Sequence, residues 1–532
     1  MTTRLIPALS RRRLLAAAAV GGGTAALPLR PGLDTARSAG VPRRTPVARA
    51  ATFARTAVPS RATRHVLSRL SYGVTPQLSR EALDLGGPQS WFETQLAYGN
   101  IADPFANGLD SWWPKLSWAP MQIGAANLTG QISGFELLND FKRWSLMRRV
   151  YSRRQLHEVM VEFWSNHLHI TTPESKSLEH RINYDRVIRS HALGKYDALL
   201  TAAITHPAML CYLDAARSTA KAPNENLGRE LLELHTVGKE SAFTEQDVAD
   251  STRILTGWRV ASSPTWDPYY SSGDHYLGRV QVMGFAAGNT SPYGQGVTRD
   301  YLAYLAHHPL TAQRIARKLA VRFVSDAPSV ALVDHLAGVF TRSGTDIAAT
   351  LRALVAHPEF AAAAGQKVRT PAEDVVATFR VLQIQTTQPT GGEADAASAI
   401  LHLTQALGET PFGWPRPDGA PDINDAWSSA SRLLSSWRVH SNLAGGYYPS
   451  TGVKYKPTAA WLPALPVRFD GLVDHLCRRL LARRSSVALL DTACAAVDAL
   501  PGERITADHP LVQWRMPLLL DALLDTPQHM SR

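Results

Sequence analysis

The chain is predicted to be mainly α, a large single-domain helical array interrupted by an irregular loop or short-strand insertion around residues 260–298. Three observations predict this. Helical periodicity dominates from Ala62 onward. The apolar runs are bracketed by proline, serine, threonine and glycine at helix start and stop positions. No period of about 20–50 residues recurs, which excludes a solenoid. Across 532 residues, 45% hydrophobic content and 13 tryptophans supply a core rather than a disordered chain.

In chain order, Leu67, Leu70 and Tyr72 belong to a first helix, and Val74-Thr75-Pro76 opens the next. Helices are predicted over 139–151, 155–170, 182–192 and 196–205. His206-Pro207, His308-Pro309 and His357-Pro358 each precede an apolar helical pattern. Proline suits the first helical position, so these histidines read as helix-start punctuation rather than ligands. Residues 260–298 are rich in Ser, Gly, Pro and aromatics and lack periodicity; long loops of this kind are often functional. Helices resume over 300–323, 330–341, 347–356 and 371–382. A break at 386–394 and a rigid, turn-rich Pro411–Gly419 segment precede a helix around Trp427–Trp437, and 467–525 is again helical.

The stretch from Pro223 to Gly238 is the most informative. At about 100° per residue, Leu227, Leu231 and Leu234 share one face, and Glu225, Asn226, Arg229, Glu230 and Glu233 share the other. Asn224 is placed to cap the start and Gly238 to stop the end, so one amphipathic helix is predicted. Carboxylates three or four apart, such as Glu230 and Glu233, converge on one ion or shift each other's pKa for acid/base work. The same spacing builds a solvated ion-pair face, with Arg229 between Glu225 and Glu233.

A second constellation runs from His157 to His169. On a helix, Glu158, Glu162, Asn166 and His169 form one stripe and His167 points away. The spacing is not His-Glu-x-x-His. A lone histidine beside Trp164 also fits a hydrogen-bonded core residue. Thr244 and Asp247 read as a capping box, and Arg253 as a partner for a carboxylate of the neighbouring helix. The Pro- and Trp-rich segment with Trp414 and Trp427 suits the wall of a sugar or peptide groove, or plain Trp–Pro packing.

Asn224-Glu225-Asn226, Arg229, Glu230, Glu233, Thr236 and Gly238, together with Phe163-Trp164-x-Asn166-His167 and the Trp414 segment, resemble a family of exported bacterial proteins known as domain of unknown function 1800. The resemblance extends from about Arg64 to the Trp427 region. It implies a mainly helical domain, often encoded beside an exported phosphatase- or sulfatase-like protein. Ser165 stands where many relatives carry a further histidine. His275 and Gly278 match a third motif, in which Tyr276 and Val280 replace an aspartate and a lysine; Asp274 precedes them. With the family in view, Glu230, Glu233, Arg229 and His167 are the catalytic candidates, and Asn166, Glu158, Asn224, Glu225, Asn226 and His275 the binding candidates. No motif identifies a cofactor or the identity of a metal.

At the N-terminus, Ser10-Arg11-Arg12-Arg13-Leu14-Leu15 followed by an apolar stretch to Leu27 resembles a twin-arginine signal, too short for a membrane span. Residues 1–27 are therefore read as signal, 28–60 as an Arg/Pro/Ala-rich tether and 61–530 as the helical domain, with a possible C-terminal helical subdomain from about 395. The expected partner is the twin-arginine machinery, and the expected location periplasmic, cell-surface or extracellular. Much of the net charge of +11 lies in the first 64 residues, so the basic balance does not argue for nucleic acid, and no other run is long enough for a stable transmembrane segment. Cys211, Cys477 and Cys494 make no disulfide framework, although Cys477 and Cys494 are free to pair outside the cell. Two readings stay open: an enzyme acting on a cell-envelope or extracellular substrate, and a non-catalytic scaffold or binding partner of the phosphatase/sulfatase-like neighbour.

Overall fold

The structure, a computed structural model, describes residues 53–172, 175–392 and 394–532. The predicted signal and most of the tether lie outside the described residues. Residues Ala50–Arg532 form one compact unit. It is mainly α, with only two-stranded ribbons among the described residues. No helix of the described residues is long and apolar enough to cross a membrane.

The helices that matter here are α1 (Arg61–Leu70), α2 (Gly134–Tyr151), α3 (Gln155–His167), α4 (Leu178–His191), α5 (Tyr196–Ile204), α6 (Asn226–Glu230) and α7 (Glu245–Leu255). After the insertion come α8 (Gln295–His307), α9 (Pro309–Phe323), α10 (Val330–Arg342), α11 (Ile347–Ala356), α12 (Pro371–Leu382), α13 (Ala396–Ala406), α14 (Ala430–Gly445), α15 (Phe469–Leu480), α16 (Val487–Val497), α17 (Met516–Leu524) and α18 (Pro527–Met530). Helix α12 is central. Its buried flank packs on α2, α13 and α14, and α3 lies against α4. The ends of these helices are set by local chemistry. The imidazole Nδ1 atoms of His206, His308 and His357 accept the backbone N–H two residues on, at 3.1, 3.2 and 3.3 Å, each ahead of a first-turn proline. The Thr244–Asp247 capping box is present in both directions. Arg253, by contrast, pairs with Asp250 of its own helix at 2.7 Å, because the i, i+3 spacing needs no neighbour.

The irregular insertion folds as two antiparallel ribbons, β1 (Trp258–Val260) with β2 (Pro268–Tyr270), and β3 (Val280–Val282) with β4 (Phe285–Ala287). The three cysteines are free thiols, Cys477 and Cys494 included.

The Pro223–Gly238 stretch departs from a single regular helix. α6 lasts five residues, and Leu231–His235 then widens into one π-turn. Asn224 caps through an Asx turn, its Oδ1 accepting the Asn226 N–H at 3.0 Å, and the residue flanking the helix is Glu225. The wider turn rotates the buried face. Leu232, His235 and Thr236 are buried and Leu234 is only half-buried, contrary to a 100° spacing. Gly238, at φ +98°, ends the segment as predicted, and its N–H closes onto the Leu232 carbonyl. Gly228 sets how closely α6 approaches α7. A Cβ there would meet Thr252 Oγ1 at 2.3 Å and Thr252 N at 2.9 Å. Gly228→Ala is therefore expected to cost about 1–3 kcal/mol in urea unfolding, and an unchanged midpoint would show that the two helices part freely.

Candidate active site

Helix α3 is held by charge in its first turn and at its middle. Glu158 accepts from Arg148 Nε at 3.0 Å and Arg189 Nη1 at 2.7 Å, tying α2, α3 and α4 together. Burial alone would raise its pKa, but Arg189 and Arg148 bring it down to about 2. One turn on, Glu162 accepts from Arg149 Nη1 at 2.5 Å, Arg322 Nη2 at 2.8 Å and the Tyr72 hydroxyl at 2.8 Å.

The C-terminal turn of α3 pins the Pro411–Gly419 segment. Asn166 donates Nδ2–H to the Ala420 carbonyl at 2.6 Å and accepts the Ala420 N–H at 2.6 Å. Gly419, at φ +76°, lies so close that a Cβ would meet the Asn166 carbonyl at 2.1 Å. His169 Nε2 bonds the Trp414 carbonyl at 2.9 Å, and Thr172 N–H the Phe412 carbonyl at 2.7 Å. Asn166, a binding candidate, thus uses its side-chain amide to clamp backbone. Asn166→Ala leaves two backbone groups unpaired and is expected to cost about 2–3 kcal/mol. Hydrogen exchange should quicken in residues 408–420 and not in α4; uniform acceleration would count against a local clamp.

Between α3, the start of α12 and residues 408–427 lies a cavity of about 250 Å³. Phe163, Phe412, Trp414 and Trp427 line it on the apolar side, and Glu162, Arg149, Arg322, Asp422 and Glu409 on the polar side. Ser165 also lines it, its buried hydroxyl unpartnered. The two glutamates differ in surroundings. Glu162 has the three donors above, whereas among the described residues the Glu409 carboxyl has one hydrogen bond, from the Ala372 N–H at 3.1 Å. Burial and the neighbouring Glu162 charge push the Glu409 carboxyl up to about 7. A carboxylic acid that keeps its proton near neutrality beside a multiply bonded carboxylate is the arrangement of a general acid. Nothing local in the sequence singled out Glu409, whose signal is only its place before Pro411.

Of the catalytic and binding candidates from the sequence Asn166 alone lines this cavity, joined by Trp414 and Trp427 of the expected groove wall; Arg229, Glu230, Glu233 and His167 lie elsewhere. Arg229 is taken by Glu245, at 2.6 Å, with Glu225 at 3.3 Å and Glu233 at 3.8 Å, in a solvent-exposed network across α6 and α7. Glu230 is half-buried. Burial, then Glu233 and Asp418, raise its pKa, and Arg229 opposes them. Asn226 is exposed, and its backbone serves the Asx turn with Asn224. His275 is buried between the Thr256 carbonyl and Asn289 Oδ1, each at 2.9 Å, fastening the ribbons to the end of α7. Nearby, Asp274 pairs with Arg259 at 3.4 Å.

His167 is buried, with Nε2 3.0 Å from the Tyr196 hydroxyl and 3.2 Å from the His235 carbonyl, and Nδ1 facing Lys318 Nζ at 3.0 Å. Burial and the Lys318 charge lower its pKa well below the ordinary histidine value. The bonds fit a neutral ring that donates from Nε2 and accepts the ammonium at Nδ1, so neither nitrogen is open to a metal. Burial and Arg314 lower Lys318 itself to about 8, with Asp422 and Asp418 opposing. Its sequence signal is the stripe Arg314, Lys318, Arg322 along α9 at four-residue spacing.

A third cluster, Asp374, His440 and His529, has metal-ligand spacing and is fully buried. Its cation place is filled by protein. Asp374 accepts from Ser436 Oγ at 2.8 Å, from Arg432 at 3.1 Å and from His440 Nε2 at 3.1 Å, and His440 Nδ1 reaches Asp525 at 2.7 Å. Burial would lower the imidazole, but Asp374 and Asp525 raise it to about 9.

A family model described as "Protein of unknown function (DUF1800)" matches residues 65–531. No curated protein and no solved structure matches the chain.

Proposed function

Since the chain belongs to the DUF1800 family, whose description names no activity, we propose that it is an exported enzyme acting on a cell-envelope or extracellular polymer, with its chemistry in the cavity between α3 and residues 408–427. The observation that carries this reading is the pair of glutamates with unequal partners in one aromatic-walled cavity, Glu162 bonded three times and Glu409 once. Glu409 would give its proton to the leaving oxygen or nitrogen as the polymer bond breaks, a water would add its hydroxyl to the carbon released, and the proton that water loses would restore the Glu409 acid. Phe412 and Trp414 would stack on a sugar ring or peptide face. Arg149 and Arg322 would keep Glu162 in place, and Asn166 would hold the aromatic wall. Export rests on the Arg11-Arg12-Arg13 leader, and Glu230, Glu233, Arg229 and His167 stay secondary candidates around Lys318 and Asp418.

The test uses protein exported by its own route, incubated with isolated envelope polymer and with soluble polysaccharides. Release of reducing ends reports glycan cleavage, and release of free amino groups reports peptide cleavage. Glu409→Gln should lower the release by roughly 100-fold or more, and the wild-type rate should fall as pH rises through about 7. Equal release by variant and wild type would remove Glu409 from the chemistry. No release from any polymer would favour a scaffold for a phosphatase- or sulfatase-like neighbour.

A further inference from the structure

A second cavity, of about 350 Å³, lies between α1, the 364–369 loop, the end of α15 and α18, and shares no lining residue with the first. Five arginines line it: Arg61, Arg64, Arg369, Arg483 and Arg532. His65 and His529 join them, and among the described residues that line it none is Asp or Glu. Two of the arginines, Arg61 and Arg64, belong to the basic N-terminal stretch whose charge would otherwise be ascribed to a leader and tether.

Other buried guanidiniums of this protein are matched by carboxylates or, like Arg181, stacked between the Phe141 and Phe412 rings. Glu158 serves Arg148 and Arg189, and Glu162 serves Arg149 and Arg322. In this cavity the five guanidiniums make a single ion pair among the described residues, Arg532 with Glu373 at 2.7 Å. Arg369 is 4% exposed. Its Nε donates to the His529 carbonyl at 2.8 Å, and its Nη1 is buried without a partner. Arg483 Nε and Arg532 Nε are likewise buried and unpartnered. Arg64 offers one hydrogen bond, to the Ala482 carbonyl at 3.3 Å. Behind them the fully buried Arg69 leaves Nε and Nη1 unmatched. Burial and neighbouring guanidiniums push Arg69 down to about 9 and Arg532 to about 10. Unpaired buried donors and clustered like charge are both costly, and an anion with several acceptor oxygens relieves both.

We infer that this cavity is a binding site for a phosphate-bearing small molecule with at least two negative charges, held by Arg61, Arg64, Arg369 and Arg483. The fork geometry of guanidinium suits tetrahedral oxyanions. The volume falls in the range of small-molecule sites, so a diphosphate or a phosphorylated small molecule fits it better than a lone ion. No step of the proposed cleavage chemistry uses this site.

Titration calorimetry and thermal unfolding of the exported protein test it, with inorganic phosphate and pyrophosphate as probes and sodium chloride at matched ionic strength as control. Pyrophosphate should bind more tightly than phosphate and raise the melting temperature where chloride does not. The Arg64→Gln/Arg483→Gln double variant should bind pyrophosphate roughly 100-fold more weakly. Without anion it should melt no lower than wild type, because like-charge repulsion has been relieved. Arg61→Gln, at an exposed position, gives a smaller loss of affinity in a protein whose folding it leaves alone. Equal effects of chloride and pyrophosphate, or unaltered affinity in the double variant, would overturn the site.

Discussion

Replacing Glu409 by glutamine is expected to stabilise the protein at alkaline pH while removing the polymer cleavage proposed for it. The folded-state pKa of Glu409, about 7, lies above the ordinary carboxyl value of 4.5. Between these two values the unfolded chain has released the proton that the folded chain still holds. Wild-type stability therefore falls as pH rises from 4.5 to 7, and the full cost, about 3 kcal/mol, persists above 7. Glutamine can still accept the Ala372 N–H but carries no charge to desolvate. Urea unfolding of the two proteins should agree near pH 4 and diverge by up to that amount at pH 8, with the variant the more stable. A difference that does not change with pH would mean that Glu409 does not titrate in this cavity. A gain in stability coupled to a loss of catalysis is the expected mark of a residue kept for chemistry.

The largest expected loss is at Asp374. It is wholly buried and faces two cations, Arg432 and the protonated His440. Asp374→Asn keeps the shape but leaves Arg432 without a carboxylate and His440 with Asp525 alone, which is expected to cost about 3–5 kcal/mol. That is a large share of the stability of an ordinary domain. The pH signature separates it from Glu409. The His440 pKa is raised, so its contribution is fully present below 6.5 and is lost as pH rises through about 9. Wild type should weaken over that interval and Asp374→Asn should be flatter there. A variant that unfolds at the wild-type urea midpoint at pH 6 would show that the buried network contributes nothing to stability.

The helical order, the His-Pro starts, the Thr244–Asp247 box and the irregular span before α8 were all legible in the sequence. Each is a relation between residues two to four apart, and such relations are complete within the local chain. The Pro223–Gly238 segment marks where that reasoning stops. Its ends were legible, but the π-turn at Leu231–His235, which turns Leu232 and His235 inward, was not, because apolar periodicity carries only the regular step of about 100° and no mark of a wider turn. Arg229 sits at ideal spacing from Glu225 and Glu233 yet bonds most closely to Glu245, sixteen residues on. The residues of Phe-Trp-x-Asn-His were visible as a motif, but the role of Asn166 depends on Ala420, 254 residues away.

The sequence by itself therefore determined a mainly helical chain of the DUF1800 family, most of its helix starts and stops, and two of the segments that line the cavity. Tertiary structure alone decided which charges lack partners. Glu409 and the arginine cavity become special through desolvation and through neighbours brought from distant segments, Arg61 and Arg532 at the extreme. Periodicity records which face of a helix is apolar, whereas the energy of a buried charge depends on everything packed around it, and that is settled only when the chain has folded.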